Sequence, residues 1–270
     1  MNSTDPAAHE GAGHYGEALF DAGHPREAER IDDAAVIYDP VTTHRLRALG
    51  VGPGTRCLEV GAGTGTVARW LLREAGAREV VALDRDTSAL GEAPEQGLRV
   101  VTADVTDESL DLGTFDLIHA RFVLMHLPER RRMLARLASR LNPGGRILLG
   151  DAVELPNPQD SHSPYRRTMD AMWEALRTTI GTDISAVPTY PHLLRKEGLA
   201  DVGAELYCPP LVPDGPLARF WSQTWRRMRP ELEATGRVDG TTVDEALAYL
   251  SSPVLAELAP GMVLAWGQRP

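Results

Sequence analysis

Cys57-Leu58-Glu59-Val60-Gly61-Ala62-Gly63-Thr64-Gly65 runs from apolar residues into glycines at alternate positions, and Asp84 stands nineteen residues past Gly65 at the end of the next apolar run. Glycine lets a backbone turn sharply and approach a ligand that a Cβ would hold off. A carboxylate at the end of the following strand can accept from paired ribose hydroxyls. This combination suits a nucleoside-like ligand. Two further residues have types fit for removing a proton. His126, in Leu124-Met125-His126-Leu127-Pro128, has a side chain that titrates near neutrality, and Asp151 ends a predicted strand. Each has a second reading: His126 as a histidine packed under the next helix, Asp151 as a turn or cap residue. His119 alternates with Phe115 and Leu117 along a buried strand and reads as structural.

Such residues need a scaffold that brings strand ends together. Apolar runs at 56–60, 79–83, 98–102, 115–119 and 146–150 alternate with helical patterns at about 66–75 and 128–141, and Thr87–Leu90 begins another helix. This alternation predicts an α/β fold with a doubly wound, mostly parallel sheet, whose ligands sit at the carboxyl ends of the strands. Ahead of it, residues 1–13 read as disordered. A helical pattern follows from Tyr15, and Asp39-Pro40 predicts a fresh helix start with its own cap. Asn142-Pro143-Gly144-Gly145 predicts a turn. After Asp151 the alternation breaks: helical patterns at 165–180, 190–198, 214–235 and 243–251 are interrupted by a strand at 199–207 and followed by one at 262–266. The expected organisation is leader segment 1–50, ligand-binding core 51–151, helical lid insertion 152–188, return to the sheet 189–208, second helical insertion 209–258 and final strand 259–270.

With 270 residues, 43% hydrophobic and 24% charged, the chain has the composition of a globular protein. A net charge of −10 disfavours a surface built to neutralise phosphates, and Arg130-Arg131-Arg132 reads as a solvated helix face. Two cysteines give no disulfide framework. No apolar run approaches a membrane span, and the N-terminus lacks a signal pattern, so a cytoplasmic protein is expected. No Cys, His and carboxylate cluster has metal-ligand spacing, so no metal is expected.

Taken together, Leu58 to Gly65, Asp84, Ala103-Asp104-Val105, Phe115-Asp116-Leu117-Ile118, Met125-His126-Leu127-Pro128 and Leu141-Asn142-Pro143-Gly144-Gly145 resemble the class I S-adenosylmethionine-dependent methyltransferases, in particular the small-molecule enzymes of bacterial secondary metabolism. The competing fingerprint, G-x-G-x-x-G for a dinucleotide, fails because its third glycine is Thr66. The resemblance covers about residues 36–151. It implies a seven-stranded Rossmann-like sheet with N-terminal helices and helical lid insertions, and S-adenosylmethionine as cofactor. It further implies that Glu59, Gly61 and Gly63 border the methionine end, that Ala62 and Gly65 belong to the same cofactor site, and that Asp84 and Arg85 lie at the ribose and adenine. Asp104 and Val105 would meet the adenine amino group, and Ala120 and Arg121 the methionine portion. For Asp104 a capping role stays open, and for Arg121 a solvated position.

Methyl transfer from a sulfonium needs alignment, desolvation and, for many acceptors, a base; His126 and Asp151 are the candidates. Tyr15, Tyr165, Met169, Met172 and Trp173 are candidate substrate contacts on the roof, although a Met and aromatic stripe at helical spacing equally describes core. The expected partner is a small, apolar or aromatic metabolite, with no nucleic acid, no membrane, and a homodimer left open. An enzyme that binds the cofactor yet catalyses an elimination or pericyclic step is the alternative.

Overall fold

Alternating runs of large apolar residues are buried on both faces of a parallel sheet, because crossover helices cover both sides. The structure, a computed structural model, describes residues 19–20, 24–91, 95–155 and 162–270. Its strands are β1 (Arg56–Val60), β2 (Glu79–Asp84), β3 (Leu98–Thr102), β4 (Phe115–Arg121), β5 (Leu141–Val153), β6 (Ala200–Tyr207) and β7 (Gly261–Gln268). They form one seven-stranded sheet in the order β3-β2-β1-β4-β5-β7-β6. β1 to β5 pair in parallel, and β7 runs antiparallel to β5 and β6. The direction of winding reverses between β1 and β4, where sheets of this kind bind ligands. There Glu59 lies opposite His119 and Val60 opposite Ala120.

The helices are α1 (Glu27–Ala48), α2 (Thr66–Arg73), α3 (Arg130–Ser139), α4 (Pro164–Ile180), α5 (Tyr190–Lys196), α6 (Pro216–Arg227), α7 (Arg229–Ala234) and α8 (Gly240–Leu250). One sheet face buries Cys57, Val80, Ala82, Leu117 and Leu148 in a cluster with Val67 and Leu71 of α2 and with the helices that follow β5. The other buries Leu58, Val81, Ile118 and Leu149 with Leu134 and Leu137 of α3 and Leu194 of α5. Each fully buried Leu or Ile contributes about 1.5–3 kcal/mol. No helix among the described residues is long and apolar enough to cross a membrane.

Four local expectations are corrected. α1 runs unbroken through Pro40, with no new cap at Asp39. Proline removes the bond to the carbonyl of Val36, and both residues are exposed, so the loss falls on the wet side while Tyr38, Thr42 and Leu46 stay buried. The helix expected from Thr87 is a single 3₁₀ turn, Ser88–Leu90, ended by Gly91 at φ 74°. β5 starts at Leu141, so the predicted turn at Asn142–Gly145 is a bulge within the strand: pairing jumps from Phe115 with Leu141 to Leu117 with Arg146. The long helix expected over 214–235 divides at Met228 into α6 and α7, because Pro230 has no N–H to continue the ladder. The segment 1–13 expected to be disordered lies outside the described residues.

Among the helices, α4 packs on α7 and α8 while α6 packs along α1. The α1–α6 joint is ionic and buried. Arg30, 2% exposed, donates to Glu27 through Nε (3.0 Å) and Nη2 (2.5 Å) and to Thr224 Oγ1 (3.3 Å). Arg227 donates to the same Glu27. The Arg30 guanidinium lies over the rings of Phe20 and Phe220, 4.4 and 4.9 Å from their centroids.

Candidate functional site

The glycine loop leaves β1 with Gly61 at φ 69°, Gly63 at φ 53° and Gly65 at φ 79°, the left-handed region that side chains avoid. Gly61 and Ala62 donate to the Leu83 carbonyl at 2.8 and 3.1 Å, which hangs the loop on the end of β2. A Cβ on Gly61 would fall 2.3 Å from Val123 Cγ2, and one on Gly65 2.4 Å from Leu90 Cδ2. Asp84, half-buried at the end of β2, accepts from the Gly63 amide at 2.8 Å and, through its other oxygen, from Asp86 N at 3.2 Å. The loop and the acidic residue that sequence spacing paired are therefore one hydrogen-bonded unit. α1 lies along it: Thr64 Oγ1 donates to Asp32 at 2.6 Å, and Ile31 Cγ2 would be 3.5 Å from a Cβ on Gly63. Neither α1 residue carried a sequence signal beyond helical periodicity.

Beside Asp84, Arg85 pairs with Asp104 (Nε to Oδ2, 3.3 Å). Asp104 Oδ1 also accepts from Thr106 N at 2.7 Å, so it caps its own turn while facing Arg85. Val105 is half-buried, its carbonyl accepting from Arg136 at 3.2 Å. Ala120 is buried at the end of β4. Arg121 is tied to α1, donating to Asp39 Oδ1 at 2.6 Å and Thr42 Oγ1 at 3.1 Å. Glu59, 3% exposed, accepts from His119 Nδ1 at 2.7 and 2.9 Å. This internal pair fixes the ring, and His119 Nε2 has no hydrogen-bond partner among the described residues.

After β4 the chain enters a turn that sequence reasoning located but did not resolve. Phe122 sits at φ 56°, unusual for a bulky side chain. Its N–H donates to the Gly150 carbonyl at 2.7 Å, and its ring meets Tyr38 edge-on at 5.1 Å. Asp151, 1% exposed, accepts from Val123 N (2.9 Å), Met125 N (3.1 Å) and Tyr190 Oη (2.6 Å). Burial pushes its carboxyl up to about 7 against the pull of these three donors and of Arg130. Tyr190 is a functional candidate with no sequence signal, being one apolar position among many in its helix. His126 follows in the same turn, its Nδ1 2.8 Å from Thr182 Oγ1. Burial, reinforced by the positive charges of Arg30 and Arg130, holds its imidazole down to about 3, so the ring is neutral at physiological pH.

The roof residues separate into two groups. Tyr165 meets Trp225 at 5.7 Å and Tyr249 at 6.2 Å, and Met169 and Met172 are fully buried in the same cluster, so these three occupy helical core. Trp173 is half-buried, donates to Glu154 at 2.5 Å where the chain leaves β5, and packs edge-on against Trp221 at 6.4 Å. Tyr15 lies outside the described residues.

Strand ends, glycine loop and acidic partners thus gather at the switch point of a seven-stranded sheet, where sheets of this kind bind ligands. A family model described as a methyltransferase domain matches residues 58–147. The chain is 31% identical to trans-aconitate 2-methyltransferase of Deinococcus radiodurans over 221 residues, 77% of this chain and 81% of that one. It is 28% identical to the methyltransferase GfsG of Streptomyces halstedii over 190 residues, and the match covers 66% of this chain but only 64% of that relative. Among solved structures, phospholethanolamine N-methyltransferase 2 of Haemonchus contortus, in complex with phosphomonomethylethanolamine and S-adenosylhomocysteine, has the same fold. Its TM-score is 0.53 at 16% identity, covering 83% of this chain and 51% of that one. The chain belongs to the class I S-adenosylmethionine-dependent methyltransferases. Its residues fit that cofactor: Gly61, Gly63 and Gly65 carry the loop through positive φ with no side chain between it and a ligand, and Asp84 stays half-exposed beside them.

Proposed function

We propose that this chain transfers a methyl group from S-adenosylmethionine to an oxygen, nitrogen or carbon of a small, apolar or aromatic metabolite, with His126 receiving the acceptor's proton. The observation that carries the reading is the hydrogen bond from Gly63 to Asp84, which sets the glycine loop and a half-exposed carboxylate side by side at the head of the sheet. When bound, the cofactor supplies a methyl group on a positively charged sulfur. Asp84 has lone pairs beyond those used by Gly63 and Asp86 with which to accept ribose hydroxyls. Asp104 and Val105 border the adenine in this reading, and Glu59, held by His119, backs the methionine end. The rings of Phe122, Trp173 and Trp221 support an apolar or aromatic acceptor.

Between the two base candidates, hydrogen bonding favours His126. Both Asp151 oxygens are occupied by donors that shape the turn. His126 is neutral and oriented by Thr182. A base with so low a pKa is adequate for a hydroxyl or carbon acceptor, because the oxonium or carbocation formed on methylation is far more acidic than imidazolium; a methylated ammonium is not, so an amine would react as its free base without needing His126. Titration calorimetry with S-adenosylmethionine, joined to an assay for S-adenosylhomocysteine, tests the proposal. Asp84→Ala should weaken cofactor binding about tenfold or more. His126→Gln should keep the affinity and lose roughly 10²-fold or more in turnover. Wild-type protein that fails to bind the cofactor below millimolar concentration would refute the reading, and turnover without S-adenosylhomocysteine would point to the non-methylating alternative.

A further inference from the structure

The turn from Phe122 to His126 is gripped from three directions. From the sheet, Gly150 accepts from Phe122 N, and Asp151 accepts from Val123 N and Met125 N. From the segment just after α4, Asp183 N donates to the Met125 carbonyl at 2.8 Å, and Thr182 Oγ1 meets His126 Nδ1. From α5, the Tyr190 hydroxyl donates to Asp151 Oδ2 at 2.6 Å, with both residues 1% exposed. On its remaining side, the turn lays the Val123 methyl in the space that a Cβ on Gly61 would occupy. The same five residues therefore touch the glycine loop, the sheet and the chain that leads out of the roof.

The geometry points to Tyr190 as a positioning residue for the cofactor loop: acting through Asp151, its hydroxyl holds Val123 against Gly61 and so couples the α4–α5 region to the nucleoside-binding loop. This rests on the methyltransferase reading for the identity of the ligand, but the mechanical link does not. A hydrogen bond from Tyr190 costs nothing in shape to remove, since phenylalanine keeps the ring in its buried place. What is lost is one of three donors fixing a buried carboxylate, and buried acceptors left short of donors are expensive.

A pH readout separates this role from plain packing. The charged and titratable groups acting on Asp151 are Tyr190 from α5 and Arg130 from α3; Asp183 beyond α4 acts on Tyr190, and His126 lies in the turn that Asp151 holds. Arg130 is paired with Asp183 at 3.0 Å, and His126 stays neutral. Asp151 is then the group that titrates near neutrality. A proton on either oxygen displaces one donor and loosens the turn, so affinity for the cofactor should fall as pH drops through about 7. Because the Tyr190 hydroxyl favours the ionised carboxylate, removing it moves that midpoint upward.

The test uses the full chain and Tyr190→Phe, with Asp151→Asn as a second variant. Amide exchange is followed by mass spectrometry without ligand, and S-adenosylmethionine affinity by calorimetry from pH 6 to 9. In Tyr190→Phe the inference expects faster exchange at both 122–126 and 61–65, an affinity about tenfold weaker at pH 7, and a higher pH midpoint. In Asp151→Asn the pH dependence should vanish. Faster exchange at 122–126 without any change at 61–65, or an affinity within twofold of wild type with an unmoved midpoint, would overturn it. If wild-type protein binds no cofactor but exchange at the two segments still rises together, the coupling stands and the methyltransferase reading falls.

Discussion

Gly61 meets two demands at once, and they can be separated by substitution. Its φ of 69° would cost an alanine about 1–2 kcal/mol, and the new Cβ would lie 2.3 Å from Val123 Cγ2, adding about 1–3 kcal/mol of overpacking. Gly63 carries only the first cost, since its Cβ would meet nothing nearer than Ile31 Cγ2 at 3.5 Å. Gly61→Ala should therefore reduce cofactor affinity and thermal midpoint more than Gly63→Ala. Adding Val123→Ala should return Gly61→Ala toward the Gly63→Ala level. Calorimetric affinity and melting temperature of the three variants check this ordering; no rescue by Val123→Ala would mean that the contact is not what constrains the loop. Much of this site was legible beforehand. Glycines at alternate positions and an acid nineteen residues on are local signatures, readable because each residue's role depends on its immediate neighbours in the chain. The occupancy of Asp151 was not, because its donors Val123, Met125 and Tyr190 are 26 to 39 positions away, and nothing in their types announces the meeting.

At the scale of elements, the joint between α1 and α6 should dominate the stability of the roof. Glu27 is 2% exposed and accepts from both Arg30 and Arg227. Removing a buried carboxylate leaves two guanidinium groups without their shared counter-charge, an effect of about 3–5 kcal/mol. Glu27→Gln should thus lower the urea midpoint strongly, whereas Glu129→Gln should cost under about 1 kcal/mol, because its pair with Arg132 is exposed. Equal effects in urea titrations would contradict the difference in burial. The elements also mark the limit of local patterning. The five parallel strands and helices α2 and α3 follow from periodicity alone. The Asp39-Pro40 signal for a helix start was outweighed by the burial of Tyr38, Thr42 and Leu46 on one face, a tertiary effect invisible to capping rules. The stripe of Tyr165, Met169 and Met172 has the same spacing whether it lines a pocket or fills a helical core, and only packing with Trp225 and Tyr249 places it in the core.

For the molecule as a whole, two groups shifted by burial, Asp151 in β5 and His126 in the turn it holds, should set opposite pH slopes of stability. Asp151 has its carboxyl raised from 3.8 to about 7 in the folded chain. Between those values the folded state binds more protons than the unfolded one, so this group's contribution is full below about pH 4 and is lost as pH rises through 7. His126 is lowered from 6.5 to about 3. Between those values the unfolded state binds more protons, so its contribution is full above about 6.5 and is lost as pH falls toward 3. Over roughly pH 4 to 6.5 the two slopes oppose each other, each limited to about 1.4 kcal/mol per pH unit, and wild-type stability owes little net slope to the pair. Asp151→Asn should unmask the histidine, giving stability that rises with pH across this window relative to wild type. His126→Gln should unmask the aspartate, giving stability that falls with pH up to about 7. All other titrating groups are common to the three proteins and cancel in the comparison. Urea midpoints at pH 4.5, 5.5 and 6.5 read the slopes directly, and parallel curves for the three proteins would mean that neither group is shifted by the fold.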